Sequence, residues 1–334
     1  MTHEQIFSYL TKTAIPAKKP VLLKGKPGIG KTDLIKQIAA YLNAVLIIAH
    51  PVVDDPTDYK GFPFPFTIDG KTFAEFIAFG NLRKIMEATT LTIFFIDDLG
   101  QAPPAVQAAI MQLLLAREIN GHKISDNVVF IAATNRKEDM AGVNSVLEPV
   151  KSRFTGGILE LELTVDGWCK WAVDNNQPTE LIAFNRLRPD LMNSGKPSRD
   201  MTNSPSARTI AGIGEIQNFG VDKELQWEVF TGIAGEGYAT EYCSFLEMVA
   251  KMPNLDRIIL NPTTADVPTS PGILYAVVTG LAAKMKDSNI DAIVNYLDRL
   301  PGEFMVCCMR DAVRRKPELT NTRAFIKLAA TIEL

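Results

Sequence analysis

Gly25-Lys26-Pro27-Gly28-Ile29-Gly30-Lys31-Thr32 fits the pattern G-x-x-x-x-G-K-[ST], and it stands between the apolar run Val21–Leu23 and a helical stripe over Asp33–Asn43. Strand, glycine-rich loop and helix in that order have a mechanical meaning. Glycines let successive backbone N–H groups curl around a phosphate, and a helix that starts near Lys31 turns the positive end of its dipole toward it. Lys31 has the reach for β and γ phosphates, and Thr32 carries a hydroxyl suited to Mg²⁺. The nucleotide-holding set read from this stretch is Gly25, Pro27, Gly28, Ile29, Gly30, Lys31, Thr32 and Asp33, with ATP and Mg²⁺ as the cofactors. A glycine-rich turn of purely structural use is the competing reading, and the flanking strand and helix count against it.

Further along, Leu91-Thr92-Ile93-Phe94-Phe95-Ile96-Asp97-Asp98 is an apolar run that ends in two carboxylates. As a strand of the same sheet it delivers both acids to the edge where the glycine loop opens. Asp97 is then the metal-side carboxylate beside Thr32, and Asp98 the group that orients or deprotonates an attacking water. A third run, Val128–Ala132, leads into Ala133-Thr134-Asn135-Arg136, where the Asn135 amide can contact a γ-phosphate or that water. Leu147-Glu148-Pro149-Val150-Lys151-Ser152-Arg153-Phe154 closes a helix and puts Arg153 at the surface, able to reach the γ-phosphate of a neighbouring copy. Each of these three has a plain alternative: a strand-ending Asp-Asp turn, a turn asparagine, a solvated arginine.

At 334 residues, 46% hydrophobic and 22% charged, the chain exceeds what one growing core usually serves and excludes disordered, collagen-like and coiled-coil classes. Its first part alternates short apolar runs with helical stripes: Val21–Leu23, Val45–Ala49, Thr92–Ile96, Val128–Ala132 and Leu159–Leu163 read as five parallel strands buried on both faces. Pro104–Arg117 carries Val106, Ala109, Ile110, Leu113 and Leu114 on one helical face. The fold class is therefore α/β, a P-loop NTPase sheet with ligands at the strands' carboxyl ends, followed by an all-α region. The expected domains are 1–165 and 166–334. Helices are expected over Gly167–Asn175, Ser206–Gln217, Leu225–Ala250, Ile273–Lys286, Ile290–Asp298, Glu303–Arg314 and Thr322–Thr331, with loops at Arg188–Pro205 and Asn261–Gly272.

Taken together, these residues resemble an AAA+ ATPase and, within it, the MoxR-like branch, over most of residues 15–215. The resemblance makes Gly25–Thr32 the Walker A motif, Phe94–Asp98 the Walker B motif, Asn135 sensor 1 and Arg153, in Ser-Arg-Phe, the arginine finger. Ser204-Pro205-Ser206-Ala207-Arg208 is similar to the start of that family's lid helix, with two extra residues between Pro205 and the arginine; it nominates Arg208 as sensor 2. Asp54–Gly61, Phe62-Pro63-Phe64-Pro65-Phe66 and the turn Ile68-Asp69-Gly70-Lys71 resemble the family's insertion, a hairpin facing the ring axis. Read without the family, Asp69-Gly70 between Phe64, Phe66, Phe73 and Phe76 is a hairpin signal, and Pro63 and Pro65 confine the first arm to an edge. Those phenylalanines serve equally as core or as a grip on a partner. Gln101–Ala108, with Pro103 and Pro104 opening a helix, also fits the branch. Where the family places Glu, this chain has Asp98, whose carboxylate stands about 1.5 Å further back.

The resemblance implies a Mg-ATP-driven ring, a hexamer, that remodels a partner protein as a chaperone does, the partner being of von Willebrand factor A type. Two alternatives stay open: a slowly hydrolysing, nucleotide-gated binding module, suggested by Asp98, and a nucleic-acid-directed motor. Against the last stand a net charge of −3 and only Lys60 and Lys71 as cations within Asp54–Phe76. No run is long enough to span a membrane and the first residues lack the makings of a secretory signal, so the expected location is the cytoplasm. Cys169, Cys243, Cys307 and Cys308 read as reduced thiols.

Overall fold

Apolar side chains alternate along three neighbouring strands, and the alternation gives one sheet two cores. The computed structural model of the chain describes residues 1–139, 146–192, 194–195 and 201–329, and it divides into two units, Met1–Leu163 and Thr164–Leu334. In the first unit β1 (Val21–Lys24), β2 (Val45–Ala49), β5 (Thr92–Ile96), β8 (Val128–Thr134) and β9 (Ile158–Glu160) form a parallel sheet in the order β2-β5-β8-β1-β9. Leu22, Phe94, Ile96, Phe130 and Ala132 point to one face. Val21, Leu23, Ile93, Phe95, Val129 and Ile131 point to the other. Helices α1 (His3–Tyr9) and α2 (Lys31–Tyr41) cover the second face; α3 (Pro56–Lys60), α4 (Gly80–Met86), α5 (Pro104–Ala116) and α6 (Glu148–Lys151) supply side chains to the first.

Five parallel strands are present, but burial on both faces holds only for β1, β5 and β8. Val45 of β2 and Ile158 of β9 are exposed because those strands are the sheet edges. The fifth strand also starts and ends earlier than Leu159–Leu163. Its partner β1 turns into the glycine loop after Lys24, so the ladder finishes with the bond from Leu161 N to the Lys24 carbonyl, 2.8 Å.

Two antiparallel hairpins leave this unit: β3 (Phe62–Ile68) with β4 (Lys71–Ile77), and the short β6 (Glu118–Ile119) with β7 (His122–Lys123). Asp69 and Gly70 both take positive φ, 50° and 74°, as a two-residue hairpin turn demands. Phe62, Phe64, Phe66 and Ile68 pair with Ile77, Glu75, Phe73 and Lys71, so all eight lie on one face of the ribbon. Phe62, Phe64, Ile68, Phe73 and Ile77 are about half exposed, 49–56%, which sets aside their use as core.

The second unit is helical: α7 (Val165–Asp174), α8 (Thr179–Leu187), α9 (Ala207–Phe219), α10 (Gln226–Ala234), α11 (Glu236–Val249), α12 (Leu255–Leu260), α13 (Pro271–Lys284), α14 (Ile290–Leu297), α15 (Gly302–Arg315) and α16 (Arg323–Ala329). The single helix expected over Leu225–Ala250 is two. Gly235, at φ 85°, breaks it, and a Cβ there would lie 2.8 Å from the Asn203 carbonyl oxygen. Helices α8 and α12 were not foreseen, each being short and bounded by Pro, Asn or Arg-Pro. Parts of the expected loop Arg188–Pro205 and the end of the expected helix Thr322–Thr331 lie outside the described residues. Phe230, Tyr238, Tyr242 and Phe245 are core, the last three packed around Phe184 and Phe230 against Tyr242, whereas Trp227 is exposed.

Arg186 of α8 forms a two-pronged ion pair with Asp311 of α15, both bonds 2.7 Å, with Thr279 of α13 accepting a third at 3.2 Å. Asp311 is buried and the Arg186 side chain is 12% exposed. Asp311→Ala strands the guanidinium, and urea unfolding is expected to show a loss of about 3–5 kcal/mol. The double variant Arg186→Met/Asp311→Leu is expected to recover most of it, because neither member of the pair is then left as an uncompensated charge.

Candidate functional site

The sheet order does the assembling. β1 lies beside β8 and β8 beside β5, with Lys24 in register with Thr134 and Ile96 with Ala132. Residues that follow these strands therefore meet at one edge, although they are far apart in the chain. Gly25 stays on the sheet through its N–H to the Thr134 carbonyl, 3.2 Å, and then the loop departs. Gly28 and Gly30 turn it with φ 72° and 91°, conformations that other residues adopt only under strain. Gly30 is the N-cap of α2, and its carbonyl accepts the first helical bond from Leu34 N at 2.9 Å. A Cβ on Gly25 would sit 2.5 Å from Ile29 Cδ1 and 3.0 Å from the Leu161 oxygen, so the loop's first position admits only glycine in this arrangement.

Lys31 is 7% exposed, and a buried ammonium requires partners. Its Nζ donates to the Gly25 and Lys26 carbonyls, each at 3.0 Å, and to Asn135 Oδ1 at 2.7 Å. Asn135 Nδ2 donates to Asp98 Oδ1 at 3.0 Å. Asp98 N donates to Asp97 Oδ1 at 3.1 Å, and Thr32 Oγ1 donates to Asp97 Oδ2 at 2.7 Å. One string of hydrogen bonds thus joins Lys31, Asn135, Asp98, Asp97 and Thr32. Asp98 reaches Asn135 because its backbone is left-handed, φ 55° and ψ 36°, which swings the carboxylate off the strand axis.

The remaining expected positions fall differently. Pro27 and Asp33 are exposed, and Asp33 faces Lys36 at 3.6 Å in the first turn of α2. Ile29 is buried beneath the loop. Arg153 follows α6 and takes no part in the string. Its Nη1 contacts Ser152 Oγ at 3.1 Å, and its buried Nε has no acceptor among the described residues. Arg208 belongs to the second unit, exposed in the first turn of α9, which Ser206 and Thr209 cap reciprocally. A cation at that positive helix end costs the helix about 0.3–1 kcal/mol.

Two groups near the loop had no sequence signal. Glu160 binds Lys24 at 2.9 Å and Arg136 at 3.4 Å, and Arg136 also grips Asp139 at 2.7 Å. Lys24 first, then Arg136, hold the Glu160 carboxyl below its ordinary pKa, while Arg136 keeps that of Asp139 low. The other is His3, whose Nε2 lies 2.9 Å from the Ile29 carbonyl; burial lowers its pKa and favours the neutral ring.

Residues 21–156 match the profile of the ATPase family associated with various cellular activities (AAA). That segment runs from β1 past Arg153 and carries the glycine loop. A proteasome-activating nucleotidase of Saccharolobus islandicus (strain M.14.25 / Kamchatka #1) is 32% identical over 157 residues, 40% of this chain and 36% of that protein. The same enzyme of Saccharolobus solfataricus is 35% identical over 129 residues, covering 35% and 29%. The match thus spans about a third of the length of these curated relatives. Among solved structures, the Thermotoga maritima RuvB Holliday junction branch migration motor is 17% identical, with 88% of this chain and 85% of that one covered at a TM-score of 0.39. NtrX from Brucella abortus, in complex with ATP, is 12% identical, with 98% and 67% covered at 0.38.

The donors at this site suit a magnesium nucleotide. Hydroxyl and carboxylate oxygens at Thr32 and Asp97 are the hard ligands Mg²⁺ takes, and Lys31 with the loop amides is a cradle for phosphate. Among the described residues no cluster of three or more His, Cys, Asp and Glu is arranged to hold a metal by itself. Thr32→Val removes the hydroxyl that meets Asp97, whereas Thr32→Ser keeps it. Calorimetric titration with ATP is expected to show the Mg²⁺-dependent part of the affinity lost in Thr32→Val and retained in Thr32→Ser.

Proposed function

We propose that the chain is a Mg-ATP-dependent AAA+ ATPase that works as a ring, a hexamer of the MoxR-like kind, to remodel a partner protein. The observation that carries this reading is the hydrogen-bonded string from Lys31 through Asn135, Asp98 and Asp97 to Thr32. Lys31 and the loop N–H groups hold the phosphates; Thr32 and Asp97 hold Mg²⁺. Bound Mg²⁺ supplies positive charge against the phosphate oxygens. Asp98 orients a water and accepts its proton, and Asn135 fixes the Asp98 carboxylate while reporting to Lys31. Arg153, outside its own site's string and with an unpaired Nε, is the arginine offered to a neighbour's phosphate. Arg208 is proposed as the sensor arginine of the helical unit.

Action on protein rather than nucleic acid is supported by the exposed aromatic face of the β3–β4 ribbon and its shortage of cations. The curated relatives named above, nucleotidases that activate a proteasome, point the same way. Partner identity, including one of von Willebrand factor A type, and a cytoplasmic location belong to the proposal by resemblance; no helix among the described residues is long and apolar enough to cross a membrane. A second reading, slow turnover by a nucleotide-gated module, is favoured by the short Asp98 side chain and its hold by Asn135.

Steady-state ATP hydrolysis and mass by size exclusion decide between them. Asp98→Ala and Arg153→Ala are each expected to lose at least about a hundredfold in kcat. A mixture of the two is expected to regain activity, since some interfaces then pair an intact carboxylate with an intact finger. A monomeric chain that binds ATP and turns over no faster than Asp98→Ala refutes the ring. For the ribbon, Phe64→Ser with Phe73→Ser is expected to shift unfolding stability by no more than about 0.5 kcal/mol, both sites being exposed. The same pair is expected to weaken capture of a reduced, alkylated unfolded polypeptide in a pull-down.

A further inference from the structure

The loop that cradles phosphate is braced from outside by a residue that lies beyond the matched family segment. His3 Nε2 stands 2.9 Å from the carbonyl oxygen of Ile29. A carbonyl only accepts, so the imidazole carries its hydrogen on Nε2 and donates. Nε2 also lies 3.4 Å from where a Cβ of Gly30 would be, which puts the ring against the outer side of the loop at the 29–30 peptide.

That peptide is trans and planar, as all peptide bonds of the described chain are trans. In a trans peptide the C=O and the following N–H point in opposite directions. A donor that holds the Ile29 carbonyl outward therefore holds the Gly30 N–H inward, toward the concave side of the loop. Gly30 needs such help: at φ 91° and without a side chain it has several orientations open to it, and the loop's function requires one.

The brace is itself well anchored. Thr2 and Gln5 cap α1 reciprocally, at 3.3 Å and 3.0 Å. The carbonyl of Met1 accepts from Glu162 N at 2.9 Å, just past β9. Ile6 and Leu10 are fully buried in the same core as Val21, Leu23, Ile29, Leu34 and Ile35, the residues on either side of the loop. His3 thus ties the loop to the sheet through a path that does not pass through the loop's own ends.

We infer that His3 is a positioning residue for the nucleotide, acting through the Ile29 carbonyl to preset the Gly30 amide for a phosphate oxygen; the inference rests on the nucleotide-binding reading above. Its effect falls on binding rather than on the chemical step, because Asp98 and Asn135 are held by other bonds.

The test uses the full chain, a fluorescent N-methylanthraniloyl ATP and steady-state hydrolysis, with His3→Ala, His3→Gln and His3→Asn. A glutamine amide nitrogen falls near the place of Nε2, while an asparagine amide falls near Nδ1 and stops short. His3→Ala and His3→Asn are expected to raise Kd and KM about fivefold, the worth of one net hydrogen bond, with kcat within about twofold. His3→Gln is expected to return both to within about twofold of wild type. Wild-type affinity in His3→Ala overturns the inference, and so does a loss in His3→Gln equal to that in His3→Asn. If His3→Ala does not fold, the Gln and Asn pair decides. Failure of the wild-type chain to bind the nucleotide at all, with Lys31→Ala no different, overturns the nucleotide reading itself and this inference with it.

Discussion

Everything at the site depends on β8 lying between β1 and β5. A parallel sheet delivers strand exits to one edge at a spacing of roughly 4.8 Å, so residues that follow adjacent strands are within side-chain reach and residues that follow distant strands are not. With β8 in the middle, Asn135 stands between the lysine of one exit and the carboxylates of the other, and its amide has one acceptor and two donors to offer them. No other uncharged side chain of that length serves both neighbours at once. An aspartate in its place would satisfy Lys31 and repel Asp98.

The buried Lys31 has a consequence for order. An ammonium with three donors, two on its own loop's carbonyls and one on Asn135, has its demands met by the protein. A phosphate that takes over some of these bonds must loosen the lysine from the loop or from Asn135, and in the second case the amide that orients Asp98 feels the change. Under the proposed function, the string is a route by which the phosphate end of a nucleotide and Asp98 sense each other through one side chain. It has the contiguity that energetic coupling between neighbours requires, over a distance of a few bonds rather than across the fold.

Much of this was legible in the sequence because it is local. Gly25–Thr32 states its own turn chemistry, and the runs ending at Asp97 and Ala132 are too short and too apolar for anything but inner strands. What could not be read is what depends on contacts between distant segments. The helix expected over Leu225–Ala250 looked continuous because Gly235 is tolerable in a helix; in the fold it turns left-handed at φ 85°, with the Asn203 carbonyl where a side chain would be. Likewise Glu160 and His3 are ordinary polar residues until the fold places them beside Lys24, Arg136 and Ile29. Neither has a motif, since the property that matters is the neighbour.

Asp98 shows how a local departure and a tertiary requirement can be one fact. Counted along the side chain, aspartate instead of glutamate looks like a deficit of one methylene. Yet residue 98 sits at φ 55°, a region that costs most L-residues about 1–2 kcal/mol and in which Asp and Asn are several-fold enriched. The left-handed turn rotates the carboxylate toward Asn135, so backbone rotation does part of what side-chain length would do on an extended strand. Glutamate here would lengthen the side chain and disfavour the turn that aims it. On this bent exit the short acid fixes its carboxylate with one fewer rotatable bond than a glutamate has.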